Sequence, residues 1–297
     1  RALGLRSALI HIPAFSEYEK AARLAKGEVK FLKPKADLSL DVDSLIKRLR
    51  GRDSLYLANP NNPTSLSVER KDLLRIFKEV KKRGVTLILD EVFMEFSDSP
   101  RENTLISQAA KSGNLIILRS MTKFFALAGL RLGAAIAHPK LIARLKQYQP
   151  PWPVNSLAAA AAREFLKDKK YIRDSYKLIQ EEKEFLYSEL SAFKALKVWR
   201  PSANFILCQL NSLILDRRGF LTPPRRRRDK NVPPIRKKAY YDTVSMGGEL
   251  RALLAVKGIL IRDCSNFRGL DSSFFRVAVR SRKDNLKLLS SLKDVLE

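Results

Sequence analysis

The sequence predicts an α/β fold: a large domain built on a mostly parallel sheet, followed by a smaller α+β C-terminal domain. Three observations carry that expectation. Residues 85–90 (Val-Thr-Leu-Ile-Leu-Asp) and 114–119 are near-continuous apolar runs, the pattern of strands buried on both faces. Strand patterns alternate with amphipathic helical ones at the pace of crossover units. After Pro150-Pro151-Trp152-Pro153 the texture changes to long helical stretches, so residues 1–153 form the large domain and 154–297 the connecting helices and small domain.

Taken in order, residues 9–12 read as a short strand. Ser16 with Glu19 makes a capping-box pattern for a helix through Ala25, which Gly27 can end. Residues 29–32 and 54–58 are strands, the second closing on Asn59-Pro60-Asn61-Asn62-Pro63-Thr64-Ser65. Two prolines and three asparagines exclude a helix there and leave polar side chains exposed. A helix over 67–83 places Leu73, Leu74, Phe77 and Val80 on one face and stops at Gly84. Beyond the proline cluster the spacing predicts helices over 155–166 and 170–193 and a strand over 204–210. Then come a helix over 248–256, strands over 259–262 and 274–279, and a last helix over 283–296.

The chain has 57 Lys and Arg against 31 Asp and Glu, a net +26 that attracts phosphates and other anions. Residues 217–238 hold ten of those basic side chains, one acid and four prolines, and read as a disordered basic insertion. A nucleic-acid-binding scaffold using Arg225–Arg228 is therefore a third-ranked alternative, with few aromatics and no nucleic-acid motif to accompany it. Cys208 and Cys264 lack the paired spacing of a zinc site, so no metal is expected. The absence of an 18-residue apolar run or a signal-peptide pattern, with so few cysteines, leads to the expectation of a cytoplasmic protein that does not engage a membrane.

Chemistry concentrates in residues 120–133, Ser-Met-Thr-Lys-Phe-Phe-Ala-Leu-Ala-Gly-Leu-Arg-Leu-Gly, directly after an apolar strand. One loop there offers an amine, two hydroxyls, a guanidinium and two glycines. A phosphorylated carbonyl compound could be held there and bonded to Lys123, which describes pyridoxal phosphate.

Five motifs occur in one order over nearly the whole chain: Asn-Pro-Asn-Asn-Pro-Thr at 59–64, Asp-Glu-Val-Phe at 90–93, Ser-Met-Thr-Lys at 120–123, Gly-Leu-Arg-Leu-Gly at 129–133 and Phe-Arg-Val-Ala-Val-Arg at 275–280. Together they resemble the motif set of fold-type-I pyridoxal-phosphate enzymes of the class I/II aminotransferase superfamily. Within it the chain is most similar to threonine-phosphate decarboxylases of cobalamin biosynthesis, relatives of histidinol-phosphate aminotransferases. Residues 119–125, 151–155 and 259–271 carry that finer likeness.

The resemblance implies roles for single residues. Lys123 would bond the cofactor aldehyde, and Asp90 would pair with the pyridine nitrogen and hold its proton. At about 3 Å and an effective dielectric near 20, such a pair is worth about 5 kcal/mol before desolvation. Asn62 would donate to the ring oxygen, where Phe93 replaces the tyrosine usual in the aminotransferases and cannot donate. Ser120, Thr122 and Arg131 would bind the cofactor phosphate, the arginine bidentately. Phe93 and Asn155 would pack around the ring, Asn155 on the substrate side. Arg276 would take the substrate carboxylate, and Arg262 would be a second substrate-facing arginine; Arg280 and Arg282 are expected to be solvated.

The likeness also implies a homodimer, a small phosphorylated amino acid as substrate, and an N-terminal arm with a glycine-containing phosphate loop ahead of residue 1. Ser65 stands where the asparagine turn normally has glycine, so strain at a positive dihedral is expected. The implied reaction is decarboxylation of L-threonine O-3-phosphate to (R)-1-amino-2-propanol O-2-phosphate, with a histidinol-phosphate-type aminotransferase as the alternative. His11 and His138 lie in no motif that needs an imidazole.

Overall fold

The computed structural model describes residues 2–211 and 246–297, so the basic insertion expected at 217–238 lies outside the described residues. The chain divides into two compact units: Arg1–Glu181 with Pro201–Asn204, and Glu182–Arg200 with Phe205–Glu297.

The first unit is a six-stranded sheet in the order β2-β1-β3-β4-β5-β6, with strands β1 (Ser7–His11), β2 (Glu28–Leu32), β3 (Ser54–Ala58), β4 (Thr86–Asp90), β5 (Leu115–Ser120) and β6 (Gly133–Ala137). The first five run parallel, and β6 is an antiparallel edge. This is the expected α/β class. Helices α1 (Glu17–Leu24), α2 (Val42–Arg48) and α3 (Arg70–Lys82) and the short turns α4 (Pro100–Asn103) and α5 (Ile106–Ala109) fill the crossovers. The lysine loop holds α6 (Met121–Phe124), and α7 (Pro139–Lys146), α8 (Ser156–Phe165) and α9 (Lys169–Ser191) follow.

Strand periodicity decides what faces what. Leu9, Leu55, Leu57, Leu87, Leu89, Leu115 and Ile117 point to one face and pack with Leu45, Leu49, Leu73, Ile76 and Val80 of α2 and α3. Full burial of each leucine stabilises the unit by about 2 kcal/mol. On β4, Ile88 and then Asp90 take the opposite face, so the alternation that buries Leu87 and Leu89 also presents the Asp90 carboxylate.

Several local expectations change. Ser16 precedes α1 in helical geometry and makes no side-chain cap; Glu19 accepts from Arg23 Nε at 2.8 Å instead of completing a capping box. The buried stripe of α3 is Leu73, Ile76 and Val80, and Leu74 is exposed, because it lies about 100° round the helix from Leu73 and falls outside that stripe. Strand β6 has no counterpart in the sequence reading: Gly-Ala-Ala-Ile-Ala has little β-branched or aromatic content to signal a strand.

The second unit carries the antiparallel sheet β7-β8-β10-β9, from β7 (Leu196–Val198), β8 (Phe205–Leu210), β9 (Arg262–Asp263) and β10 (Phe274–Ala278), with helices α10 (Met246–Val256) and α11 (Arg282–Leu296) and the end of α9. The strand expected over 259–262 shrinks to two residues because Ile259 N bonds to Leu254 O, closing the end of α10. Arg282 is exposed, as expected, and also donates to the buried Glu182 at 2.9 Å and lies 3.7 Å from the Phe185 ring centroid. Arg280 is exposed and pairs with Asp284. Among the described residues, no helix is long and apolar enough to cross a membrane, and no cluster of three metal-ligating side chains occurs.

Candidate functional site

Parallel registration puts the ends of β3, β4 and β5 side by side: Ala58 is opposite Asp90, and Asp90 is opposite Leu118, two residues before Ser120. The polar residues that follow these strands are thereby gathered at one edge of the first unit, the carboxyl end where ligands of parallel sheets bind. Asn62, Asp90, Phe93, Ser120, Thr122 and Lys123 all emerge there.

Asp90 Oδ1 accepts from Val92 N at 2.9 Å, and Oδ2 accepts a short hydrogen bond from the Tyr18 hydroxyl. Burial raises the Asp90 pKa above the ordinary carboxylate value, opposed by those two hydrogen bonds. Tyr18 is 7% exposed and stacks on Tyr56 with centroids 5.8 Å apart. Neither tyrosine was singled out in the sequence. The clue available was that Tyr18 and Ala22, one helical turn apart, form the buried stripe of α1.

The next residue, Glu91, is fully buried and turns to other partners. Arg119 Nη2 lies 2.7 Å from its Oε2, Thr104 Oγ1 donates to it at 2.6 Å, and Leu105 N donates to Oε1 at 3.2 Å. Arg119 also pairs with Glu95. These charges sit beside Asp90 and Ser120 in sequence, and sequence reasoning passed over them. An acid and a base each adjoining a site residue at the end of an apolar run was the available signal.

The asparagine turn is held from inside. Asn59 Oδ1 accepts from Val68 N at 2.9 Å, and Asn61 Nδ2 donates to Pro13 O at 3.0 Å and Thr64 Oγ1 at 2.9 Å. Asn59 and Asn61 are buried, whereas Asn62 is half-buried. Ser65 has the expected positive φ, 61°, and its Oγ accepts from Ala203 N at 2.8 Å.

Ser120 caps α6: Thr122 N donates to its Oγ at 3.2 Å, and the two hydroxyl oxygens lie 2.6 Å apart. The Lys123 side chain is exposed and makes no hydrogen bond or ion pair to a described residue. Its loop is anchored by its neighbours: Phe124 is buried, Tyr171 Oη donates to Phe124 O at 2.9 Å, and Phe125 stacks on Phe165 at 4.2 Å. Phe93 opens the 3₁₀ turn Met94–Phe96, half-buried and 6.4 Å from the Phe96 ring.

Arg131 adopts left-handed geometry at φ 53° and donates to Ala128 O at 2.8 Å, so its guanidinium is turned back on its own loop. Gly133 pairs with Ser120, and a Cβ there would lie 2.9 Å from Arg119 O, which explains a glycine at that position. Nothing lies within 4 Å of a Cβ built on Gly129. Asn155 caps α8 by accepting from Ala158 N at 2.8 Å, and its Nδ2 donates to Leu130 O at 3.0 Å, tying that helix to the same loop.

Arg262 and Arg276 belong to the second unit, directly opposite each other on β9 and β10. The Arg276 guanidinium lies 4.4 Å from the Phe205 centroid, and burial lowers its pKa from the ordinary value, with Cys264 opposing the shift and Arg262 adding to it. Arg262 donates to Asn266 Oδ1 at 3.0 Å and lies over Phe267.

In chemical terms the first unit offers an accessible primary amine, a half-buried carboxylate that pairs with no cation among the described residues, and a hydroxyl pair at a strand end. Comparison with known proteins places the chain in a family. Residues 3–292 match the family model "Aminotransferase class I and II". The chain is similar to the threonine-phosphate decarboxylase of Salmonella typhimurium, at 33% identity over 98% of this chain and 71% of that protein. It is similar to the histidinol-phosphate aminotransferase of Methanococcus aeolicus, at 28% identity over 97% of this chain and 69% of that protein. Among solved structures, the histidinol-phosphate aminotransferase from Clostridium acetobutylicum superposes with a TM-score of 0.84 at 30% identity, covering 99% of this chain and 79% of that one.

Proposed function

Because the chain belongs to the aminotransferase class I and II family, we propose that it decarboxylates L-threonine O-3-phosphate to (R)-1-amino-2-propanol O-2-phosphate, a step of cobalamin biosynthesis. The cofactor is pyridoxal 5'-phosphate. The residues fit it: Asp90 is a half-buried carboxylate with no ion-pair partner among the described residues, and Tyr18 and Val92 leave about two of its lone-pair sites open.

Bound there, pyridoxal phosphate supplies an electron sink for a bond broken at the amine-bearing carbon of the substrate. Lys123 would hold the cofactor's aldehyde and, as an amine, would move a proton at that carbon. Asp90 would keep the ring nitrogen protonated, and Asn62 would donate to the ring oxygen. Ser120, Thr122 and Arg131 would take the phosphate, Arg131 after giving up its bond to Ala128 O. Phe93 and Asn155 border the ring, and Arg276 and Arg262 take the two anionic groups of the substrate.

The observation that carries this reading is the opposed pair Arg262 and Arg276. A molecule bearing both a carboxylate and a phosphate would offer one anion to each of these two neighbouring guanidinium groups. The 33% identity to the Salmonella decarboxylase supports the same substrate. A second reading, a histidinol-phosphate-type aminotransferase, is favoured by the superposition on the Clostridium structure. A homodimer in the cytoplasm belongs to both readings.

One assay separates them. With O-phosphothreonine and pyridoxal phosphate, carbon dioxide released without an amino acceptor supports the decarboxylase. Keto acid formed only when 2-oxoglutarate is present supports the aminotransferase and sinks the first reading.

A further inference from the structure

We propose that Tyr18 is a positioning residue for Asp90: its hydroxyl, donated to Oδ2, keeps the carboxylate ionised and leaves the remaining lone pairs for the protonated ring nitrogen of the cofactor. The inference rests on the cofactor reading above and adds a residue that no motif of the chain marks.

The geometry is specific. Tyr18 comes from α1 and Asp90 from the end of β4, 72 residues later, and they meet on the sheet face that Ile88 and Tyr56 share. The tyrosine ring has little freedom: it stacks on Tyr56 at an interplanar angle of 27° and meets the edge of Phe15 at 5.9 Å. Val92 N fixes the other carboxylate oxygen at 2.9 Å. Two donors at two oxygens set both the plane and the charge of the group.

The need for such a donor follows from what surrounds Asp90. From α1 and β3 the titratable neighbours are Tyr18 and Tyr56, both neutral at ordinary pH. The adjoining acid, Glu91, is committed to Arg119, Thr104 and Leu105, and no cationic side chain of the described residues pairs with Asp90. A carboxylate partly shielded from water and without a cation drifts toward its neutral form, and a neutral acid cannot hold the proton on a ring nitrogen. The phenol, far more weakly acidic and with its own pKa raised by burial and by Asp90, keeps its proton and acts as the donor.

The test is the titration of the Asp90 carboxyl followed by carbon-13 NMR in the cofactor-free chain, wild type against Tyr18→Phe, with the pyridoxal phosphate dissociation constant measured by absorbance. Tyr18→Phe keeps the ring stack, and is expected to raise the Asp90 titration by about one pH unit and weaken cofactor binding about tenfold. Incorporating 3-fluorotyrosine at Tyr18 gives a stronger donor of nearly the same shape, and is expected to move the titration down. It serves equally should the phenylalanine variant fold poorly. A titration unmoved by either change overturns the inference with the cofactor reading intact. A wild-type chain that binds no pyridoxal phosphate overturns that reading, and the inference with it.

Discussion

Arg119 joins two strand ends: its Nη2 lies 2.7 Å from Glu91 Oε2, so the residue before Ser120 on β5 is clamped to the residue after Asp90 on β4. Both side chains are buried, at 9% and 0% exposure, which makes the cost of breaking the pair far larger than for a surface bridge. Arg119→Met leaves Glu91 charged and unpaired, and is expected to lower unfolding free energy by about 3–4 kcal/mol in urea titrations. The double variant Arg119→Met/Glu91→Leu should recover part of that loss, because the stranded charge is removed with its partner. Equal losses in the single and double variants would contradict this account.

Lys123 is the single lysine of residues 120–133, so the proposed anchoring of the cofactor cannot pass to a neighbour in that loop. On adding pyridoxal phosphate, the wild-type chain should develop the visible absorbance of a lysine-bound cofactor, and Lys123→Ala should not. Turnover should fall by about 10³-fold or more, as expected when the group that moves the proton is lost. Retention of the band in the alanine variant would mean that another amine carries the cofactor.

Ser65 combines a left-handed backbone with a buried acceptor for Ala203 N. Ser65→Ala keeps the strain and loses the acceptor, so a stability loss of about 2 kcal/mol is expected. Ser65→Gly loses the acceptor but relieves the strain, so its loss should be smaller by about 1 kcal/mol. Chemical denaturation of the three proteins tests that order; alanine equal to or better than glycine would refute it.

His11 is 8% exposed with Nε2 unpartnered, and burial lowers its pKa from 6.5 to about 4. The folded pKa is depressed, so the native chain holds a neutral imidazole while the unfolded chain takes up a proton below about pH 6.5. Its contribution to stability is present above pH 6.5 and is lost as the pH falls toward 4, amounting to about 3 kcal/mol. Unfolding measured at pH 7 and pH 4 should show that much less acid sensitivity in His11→Leu than in wild type. Identical slopes would place the acid sensitivity in other groups.

The sheet strands of the first unit were legible because apolar runs of four to six residues, closed by turn residues, have few other interpretations. Strand β6 was not, since five small or weakly β-forming residues become a strand only through pairing with β5. Motif order singled out Lys123, Asp90, Asn62 and Ser120, all of which end or follow strands at one sheet edge, and predicted the positive dihedral at Ser65. It did not reveal Tyr18 donating to Asp90 or Arg119 clamping Glu91, because those contacts span 72 and 28 residues and depend on which face each side chain takes. The apparent capping box at Ser16 failed for a local reason, as Ser16 is already in helical geometry and cannot direct its oxygen at the first turn.

The antiparallel pairing of Ser120 with Gly133 seals the lysine segment into a ring whose two ends leave the sheet together. Lys123 and Asp90 are therefore adjusted by different rules. Asp90 is fixed by strand register, and a slip would carry it a full step of about 3.3 Å and onto the opposite face. Lys123 rides on the contents of the ring, where a change at Phe125, Leu130 or Arg131 can displace it by fractions of an ångström and leave the ladder intact. One partner moves in quanta and the other by continuous tuning, so variation among descendants of this chain can refine where the amine sits while the carboxylate stays put.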